Sequence, residues 1–158
     1  MAILSGGLRG CYRCAHVWRP AGRADPRICP RCKSRFWDVP LLRPIRSGTG
    51  PGIAQILLPK REAILKAAYE HGFRHVRVFG SVRRSQATSR SDVDLLVDRD
   101  EGTSLLDRAA LAEDLEDLLR RRVDIVPEES LHWLARPQIL FEAVRLGPIQ
   151  RVSPTLSS

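Results

Sequence analysis

The sequence predicts a two-part protein: a small α/β domain in the longer C-terminal part, preceded by a short module organised by cysteines. Three observations predict it. Beyond residue 52 the hydrophobic pattern switches between helical and strand periods in the order αβαβαβα. All four cysteines fall early, as Cys11-Tyr-Arg-Cys14 and Cys29-Pro-Arg-Cys32. The charge is split: residues 1–50 hold ten Lys and Arg against Asp25 and Asp38, and the rest holds sixteen of each sign.

The elements follow from spacing and punctuation. Lys60 to His71 reads as a helix with Ile64, Ala67, Ala68 and Tyr69 toward one side, ended by Gly72. Val76–Phe79 is a β-branched run that stops at Gly80-Ser81, and Val93–Val97 is a second strand. Ser104 to Arg121 carries Leu111, Leu115, Leu118 and Leu119 at helical spacing. Val123–Val126 is a third strand closed by Pro127. A last helix is expected from Arg136 to Leu146, with Ile139, Leu140, Ala143 and Val144 on its apolar side. Residues 148–158 read as a loose tail.

With 43% hydrophobic and 28% charged residues, the composition excludes wholesale disorder. No run approaches the ~18 apolar residues of a membrane span, and residues 1–10 lack the apolar stretch of a secretory signal. A cytoplasmic protein without a membrane partner is expected.

Four thiolates in two Cys-x-x-Cys turns, fourteen residues apart, can surround one zinc tetrahedrally. A reducing cytosol disfavours disulfides. His16 is a spare ligand for a tetrahedron already filled by Cys11, Cys14, Cys29 and Cys32. So short a module cannot bury a sufficient core, and the metal is expected to supply the missing stability. Val17, Trp18, Phe36 and Trp37 are expected to form an apolar patch beside the metal. The segment 9–42 resembles a zinc ribbon of the rubredoxin-knuckle type. Its basic charge points either to nucleic acid or to a merely solvated face. Residues 43–54, which contain Ser47-Gly48-Thr49-Gly50-Pro51-Gly52, read as a linker to a domain over 55–147.

The chemistry concentrates in residues 80–97. Asp92 and Asp94, two apart on a strand, present their carboxylates to one face about 6.6 Å apart. Such a pair resists joint ionisation unless a cation neutralises it. Its hard oxygen donors suit Mg²⁺ together with substrate phosphates. Two such ions about 3.5–4 Å apart would clamp an in-line phosphoryl or nucleotidyl displacement. Asp124, an acid inside an apolar strand, is the natural third carboxylate. Gly80-Ser81 ends a strand in a turn whose backbone N–H groups can hold a triphosphate, with Arg84 in reach of the same anion. His71, His75 and His132 lack ligand spacing, and Arg120-Arg121-Arg122 suits a helix C-terminus.

Gly80, Ser81, Arg84, Ser91, Asp92, Asp94 and Asp124, in this order and spacing, resemble the minimal nucleotidyltransferases of the polymerase-β superfamily. The resemblance covers residues 55–146. It implies a polymerase-β-type fold, a small mixed sheet flanked by helices, and transfer of AMP from ATP with Mg²⁺. Asp92, Asp94 and Asp124 would be the catalytic metal-binding acids, and Gly80, Ser81, Arg84 and Ser91 the nucleotide site. Many such proteins are antitoxins that attach AMP to a tyrosine of a HEPN-domain ribonuclease toxin, so a HEPN-domain partner is expected. The chain departs from the family at Arg83 and Ser85, where a small residue and a glycine usually flank the arginine. Two other readings stand beside this one: a zinc-ribbon module that binds nucleic acid or protein with a nucleotide-sensing domain, and nucleotidyl transfer to a small molecule.

Overall fold

A computed structural model describes residues 3–147; the expected tail lies outside them. In chain order the elements are β1 Arg9–Gly10, β2 Val17–Trp18, α1 Ile53–Ile56, α2 Arg61–Glu70, β3 Phe73–Phe79, α3 Gly80–Arg83, β4 Val93–Arg99, α4 Leu105–Leu119, β5 Val123–Pro127, α5 Arg136–Glu142 and β6 Val144–Arg145. The chain divides into two compact units. One runs through Ile45 and takes back Ser130–Glu142; the other is Arg46–Glu129 and the chain from Ala143.

The larger unit is built on one mixed sheet in the order β5-β4-β3-β6. β4 and β5 run parallel, joined by α4 as the crossover, while β3 is antiparallel to both β4 and β6. The period of two decides what each strand buries. Val76 and Val78 of β3, Val93, Leu95 and Val97 of β4, and Val123 and Ile125 of β5 join Ile64 and Ala68 of α2 and Leu111 and Leu115 of α4 in one core. The alternate residues, among them Asp94 and Asp124, therefore project from the face turned away from that core. β3 reaches this register through an irregularity between Arg74 and Arg77, where His75 takes φ 51°.

α4 starts where the sequence signals it. Ser104 Oγ accepts from Asp107 N (3.2 Å), and Ser104 N–H donates to Asp107 Oδ2 (2.7 Å), closing a reciprocal cap. The last expected helix is shorter than its apolar pattern. α5 ends at Glu142, and Val144 pairs with Val78 and Arg145 with Arg77 as an edge strand. The open edge of β3 offers unpaired backbone groups, and satisfying them outweighs one more helical turn.

In the smaller unit β1 and β2 form a short antiparallel pair beside the cysteines. The expected aromatic patch forms only in part. Trp37 is buried against Cys11 and Cys29 with Trp18 on its edge, whereas Val17 and Phe36 are exposed. Trp37 leaves no buried donor unpaired, because its Nε1–H donates to Pro26 O (2.9 Å). The returning segment 130–142 lays Trp133 on Gly10, where a Cβ would come within 2.6 Å of the indole ring. Tyr12 tilts against the same indole, centroids 5.5 Å apart. Gln138 closes the contact by accepting from Arg43 N (2.7 Å) and donating to Arg43 O (3.2 Å). Among the described residues no helix is long and apolar enough to cross a membrane.

Candidate active site and metal centre

The four thiols are brought together. Their sulfurs all lie within 4.8 Å of one another, with Cys11–Cys32 at 3.7 Å and Cys14–Cys29 at 3.8 Å. Tetrahedral zinc with bonds of about 2.3 Å sets its sulfurs about 3.8 Å apart, so the donor set fits a four-sulfur metal site. The backbone explains the convergence. In one knuckle Cys11 N–H donates to His16 O and Ala15 N–H to Cys11 O. In the other, Cys29 N–H donates to Ser34 O and Lys33 N–H to Cys29 O. Ala15 and Lys33, each just after the second cysteine of its pair, take φ 58° and 60° to turn the chain.

Burial pushes the Cys11 thiol up to about 12. Burial also raises Cys29, but hydrogen bonds from the Cys32 and Arg31 backbone and from neighbouring thiols outweigh it and bring Cys29 down to about 7. The Cys29 thiolate is thus favoured over that of Cys11, and a divalent cation would favour the charged form of the thiols it binds. His16 lies outside the four-cysteine group and stacks on Trp18, ring centroids 5.8 Å apart.

The carboxylates gather by strand register. Asp94 of β4 pairs with Asp124 of β5 on one side and with Phe79 of β3 on the other. Neighbouring strands lie about 4.8 Å apart, so the end of β3, the start of β4 and the start of β5 meet at one end of the sheet. Asp92 precedes β4 by one residue at this same end. Gly80 shows how close the approach is: φ is +75°, and a Cβ there would collide with the Asp94 carboxylate. Asp92 and Asp124 are exposed and Asp94 half-buried, so the acids face solvent and not the core. The three carboxylates share this end without converging as the thiols do: among the described residues, only the four cysteines form a ready group of three or more metal ligands. A divalent ion here would rely on phosphate and water for the rest of its shell, as Mg²⁺ does.

The phosphate candidates sit in the turn that leaves β3. Gly80–Arg83 makes one helical turn, and Arg84 N–H closes it onto Gly80 O (3.1 Å). Ser85, standing where the resembled family has glycine, does take the left-handed conformation, φ 53°. The Ser91 hydroxyl is engaged in the turn before Asp92, accepting from Thr88 N (2.8 Å). Two residues that pattern reasoning missed serve this region. Arg121 donates from Nη1 to Thr88 O (2.6 Å) and Ser91 O (3.4 Å), fastening the turn that leads into Asp92. Gln86 Oε1 accepts from Arg84 Nε (3.1 Å). A helix-terminal arginine and a loop glutamine carry no local signal of such contacts.

The sequence profile of the nucleotidyltransferase domain matches residues 62–146. The chain belongs to the nucleotidyltransferase domain family. A protein adenylyltransferase, MntA, of Thermococcus cleftensis is 41% identical over 97 residues, 58% of this chain and 98% of its own length. A Methanocaldococcus jannaschii chain assigned as a protein adenylyltransferase is 38% identical over 84 residues, 53% of this chain and 90% of that one. A solved structure assigned to the minimal nucleotidyltransferases superposes with a TM-score of 0.54 at 47% identity, covering 61% of this chain and 98% of the other. A toxin–antitoxin structure with AMP-PNP, at 23% identity and a TM-score of 0.50, shares the fold over 57% of this chain and 74% of its own. In this nucleotidyltransferase the mixed sheet with its flanking helices is the polymerase-β-like fold, and the four-cysteine module is an addition ahead of the matched region.

Proposed function

We propose that this nucleotidyltransferase moves AMP from ATP to a protein hydroxyl, a tyrosine of a HEPN-domain toxin, and so acts as an antitoxin. The observation that carries the reading is the register that sets Asp94 beside Asp124 and packs Gly80 against Asp94. Support comes from the relatives named protein adenylyltransferases, which this chain spans almost entirely.

In this reading Asp92, Asp94 and Asp124 hold Mg²⁺, which would supply neutralisation of charge on the phosphates. Backbone N–H groups of the Gly80-Ser81 turn and the Arg84 guanidinium bind the triphosphate, and Ser91 holds the turn that aims Asp92. The acceptor oxygen attacks the α-phosphorus, the bond to the β-phosphate's bridging oxygen breaks, and pyrophosphate leaves. Asp124, exposed at the same sheet end, takes the hydroxyl proton. Zinc on Cys11, Cys14, Cys29 and Cys32 is structural, in keeping with a cytoplasmic protein whose thiols stay reduced.

The test uses ATP labelled in the α-phosphate, Mg²⁺ and a HEPN-domain protein as acceptor. Label should appear on that protein, and Asp94→Asn should lower the rate at least about 10²-fold, the loss typical of a deleted electrostatic catalytic group. Full activity of Asp94→Asn would overturn the assigned site. Transfer of γ-label would mean a kinase, and an inert wild type would favour the binding-module reading.

A further inference from the structure

The Gly/Pro-rich stretch expected to be a linker is instead fastened to the loop that carries Arg84. Gly48 N–H donates to Arg84 O (2.7 Å) and Gly50 N–H donates to Ser85 O (2.8 Å). A third tie runs through a side chain. Gln86 Nε2–H donates to Arg46 O (3.0 Å), while its Oε1 accepts from Arg84 Nε (3.1 Å). One amide thus joins the strap backbone to the guanidinium.

The glycines are where they are because nothing larger fits. A Cβ on Gly48 would lie 2.6 Å from Ser85 O, on Gly50 2.9 Å from Ala87 O, and on Gly52 2.5 Å from Ser85 Oγ. Three glycines at every second position all meet the short run Ser85–Ala87. A solvated linker needs no such closeness; a strap lying flat on a loop does. The loop beneath needs holding, since Ser85 keeps φ 53° without being glycine, a conformation that persists only when its surroundings impose it.

We propose that residues 46–52, tied through Gln86, are a positioning strap that holds the Arg84 guanidinium and the Gly80–Ser85 loop in the shape that receives the nucleotide's triphosphate. The inference rests on the nucleotidyl-transfer reading and adds residues upstream of the matched domain to the machinery that serves it. The physical logic is preorganisation. An arginine ordered before the phosphate arrives loses less freedom on binding. The expected signature is therefore in nucleotide affinity and KM for ATP, with kcat at saturating ATP little changed.

The experiment measures binding of Mg²⁺ with an ATP analogue carrying a methylene between the α- and β-phosphorus, on the full-length protein. Gly52→Ala drives a methyl group into Ser85 and should weaken binding about tenfold, comparable to losing one hydrogen bond to a charged group. Ser85→Gly removes the atom struck, so the double variant Gly52→Ala/Ser85→Gly should return to near wild-type affinity. Gln86→Ala, at an exposed side chain, should weaken binding by a similar factor without lowering the melting temperature. That variant also keeps the question answerable if Gly52→Ala misfolds. Unchanged affinity in Gln86→Ala, or failure of Ser85→Gly to rescue a folded Gly52→Ala, would overturn the strap while leaving the transfer reading intact. A wild type that does not bind the Mg²⁺–nucleotide would instead overturn the transfer reading itself.

Discussion

The two units of the chain are held together by different physics. Among the described residues, the apolar cluster of the smaller unit is Cys11, Cys29 and Trp37, with Cys14 and Trp18 packed alongside. The larger unit closes a continuous apolar core between one sheet face and α2 and α4, in which Leu95, Leu111, Leu115 and Val93 are fully shielded. Two of the three core side chains of the first unit also belong to the four-thiol group that could hold a metal. The lesson is that one chain can hold a unit whose stability follows thiol chemistry next to one whose stability follows buried area. Each is therefore expected to be breakable without breaking the other. The tryptophans make this measurable: Trp18, Trp37 and Trp133 all fall in the smaller unit, while α2 and α4 fall in the larger.

The largest expected effect is loss of the metal. Zinc binding in such small modules is worth about 10 kcal/mol or more, against a core of three side chains. A strong chelator, or Cys29→Ser, should shift tryptophan emission to that of exposed indole, while far-UV dichroism keeps the helical signal of α2 and α4. Acidification should act in the same sense. A metal held there needs thiolate ligands, so protons compete with it and falling pH favours its release. Simultaneous loss of both signals would mean that the units do not fold independently.

The converse break is smaller. Leu95 is 1% exposed at the centre of β4, and Leu95→Ala should cost about 2–5 kcal/mol through the cavity it leaves. For a unit of this size about 1 kcal/mol moves the melting temperature by roughly 4–8 °C, so the dichroism melt should fall by more than about 10 °C. Zinc content and tryptophan emission at 25 °C should not change. A parallel loss of zinc would contradict the separation.

The same contrast decides how much was legible in the sequence. The thiols and the acids were legible because their chemistry is local: Cys-x-x-Cys makes a knuckle, and Asp92 and Asp94 stand two apart at the head of a strand, Asp92 just before it and Asp94 within it. Asp124 could be singled out as an acid in an apolar strand, but its pairing with Asp94 is a property of β4–β5 register, which no local pattern encodes. Gly48, Gly50 and Gly52 read as part of a linker because glycine signals both freedom and closeness; the position of Ser85–Ala87 shows closeness here. Val144 and Arg145 fit a helical stripe, yet the free edge of β3 claimed them. The sequence places segment 130–142 within the sheet domain, because nothing in it announces that Trp133 covers Gly10.

The smallest effect sharpens the comparison at a single hydrogen-bonded pair of the larger unit. Ser104→Ala removes the hydroxyl that accepts from Asp107 N and donates to Asp107 Oδ2 (2.7 Å). Losing an N-cap of this kind costs about 1 kcal/mol, read as a fall in the dichroism melt with tryptophan emission unmoved. The pair also carries a pH signature. The backbone N–H and then the hydroxyl of Ser104, with His71 nearby, hold the Asp107 carboxyl below its ordinary value. A group whose folded pKa is lowered contributes stability above its unfolded pKa and loses it as pH falls through the folded value. The melting difference between wild type and Ser104→Ala should therefore be full near neutrality and shrink as the pH drops below the ordinary aspartate range. A difference that stays constant through that range would show that the hydroxyl caps the helix through Asp107 N alone, with no share in holding the carboxylate.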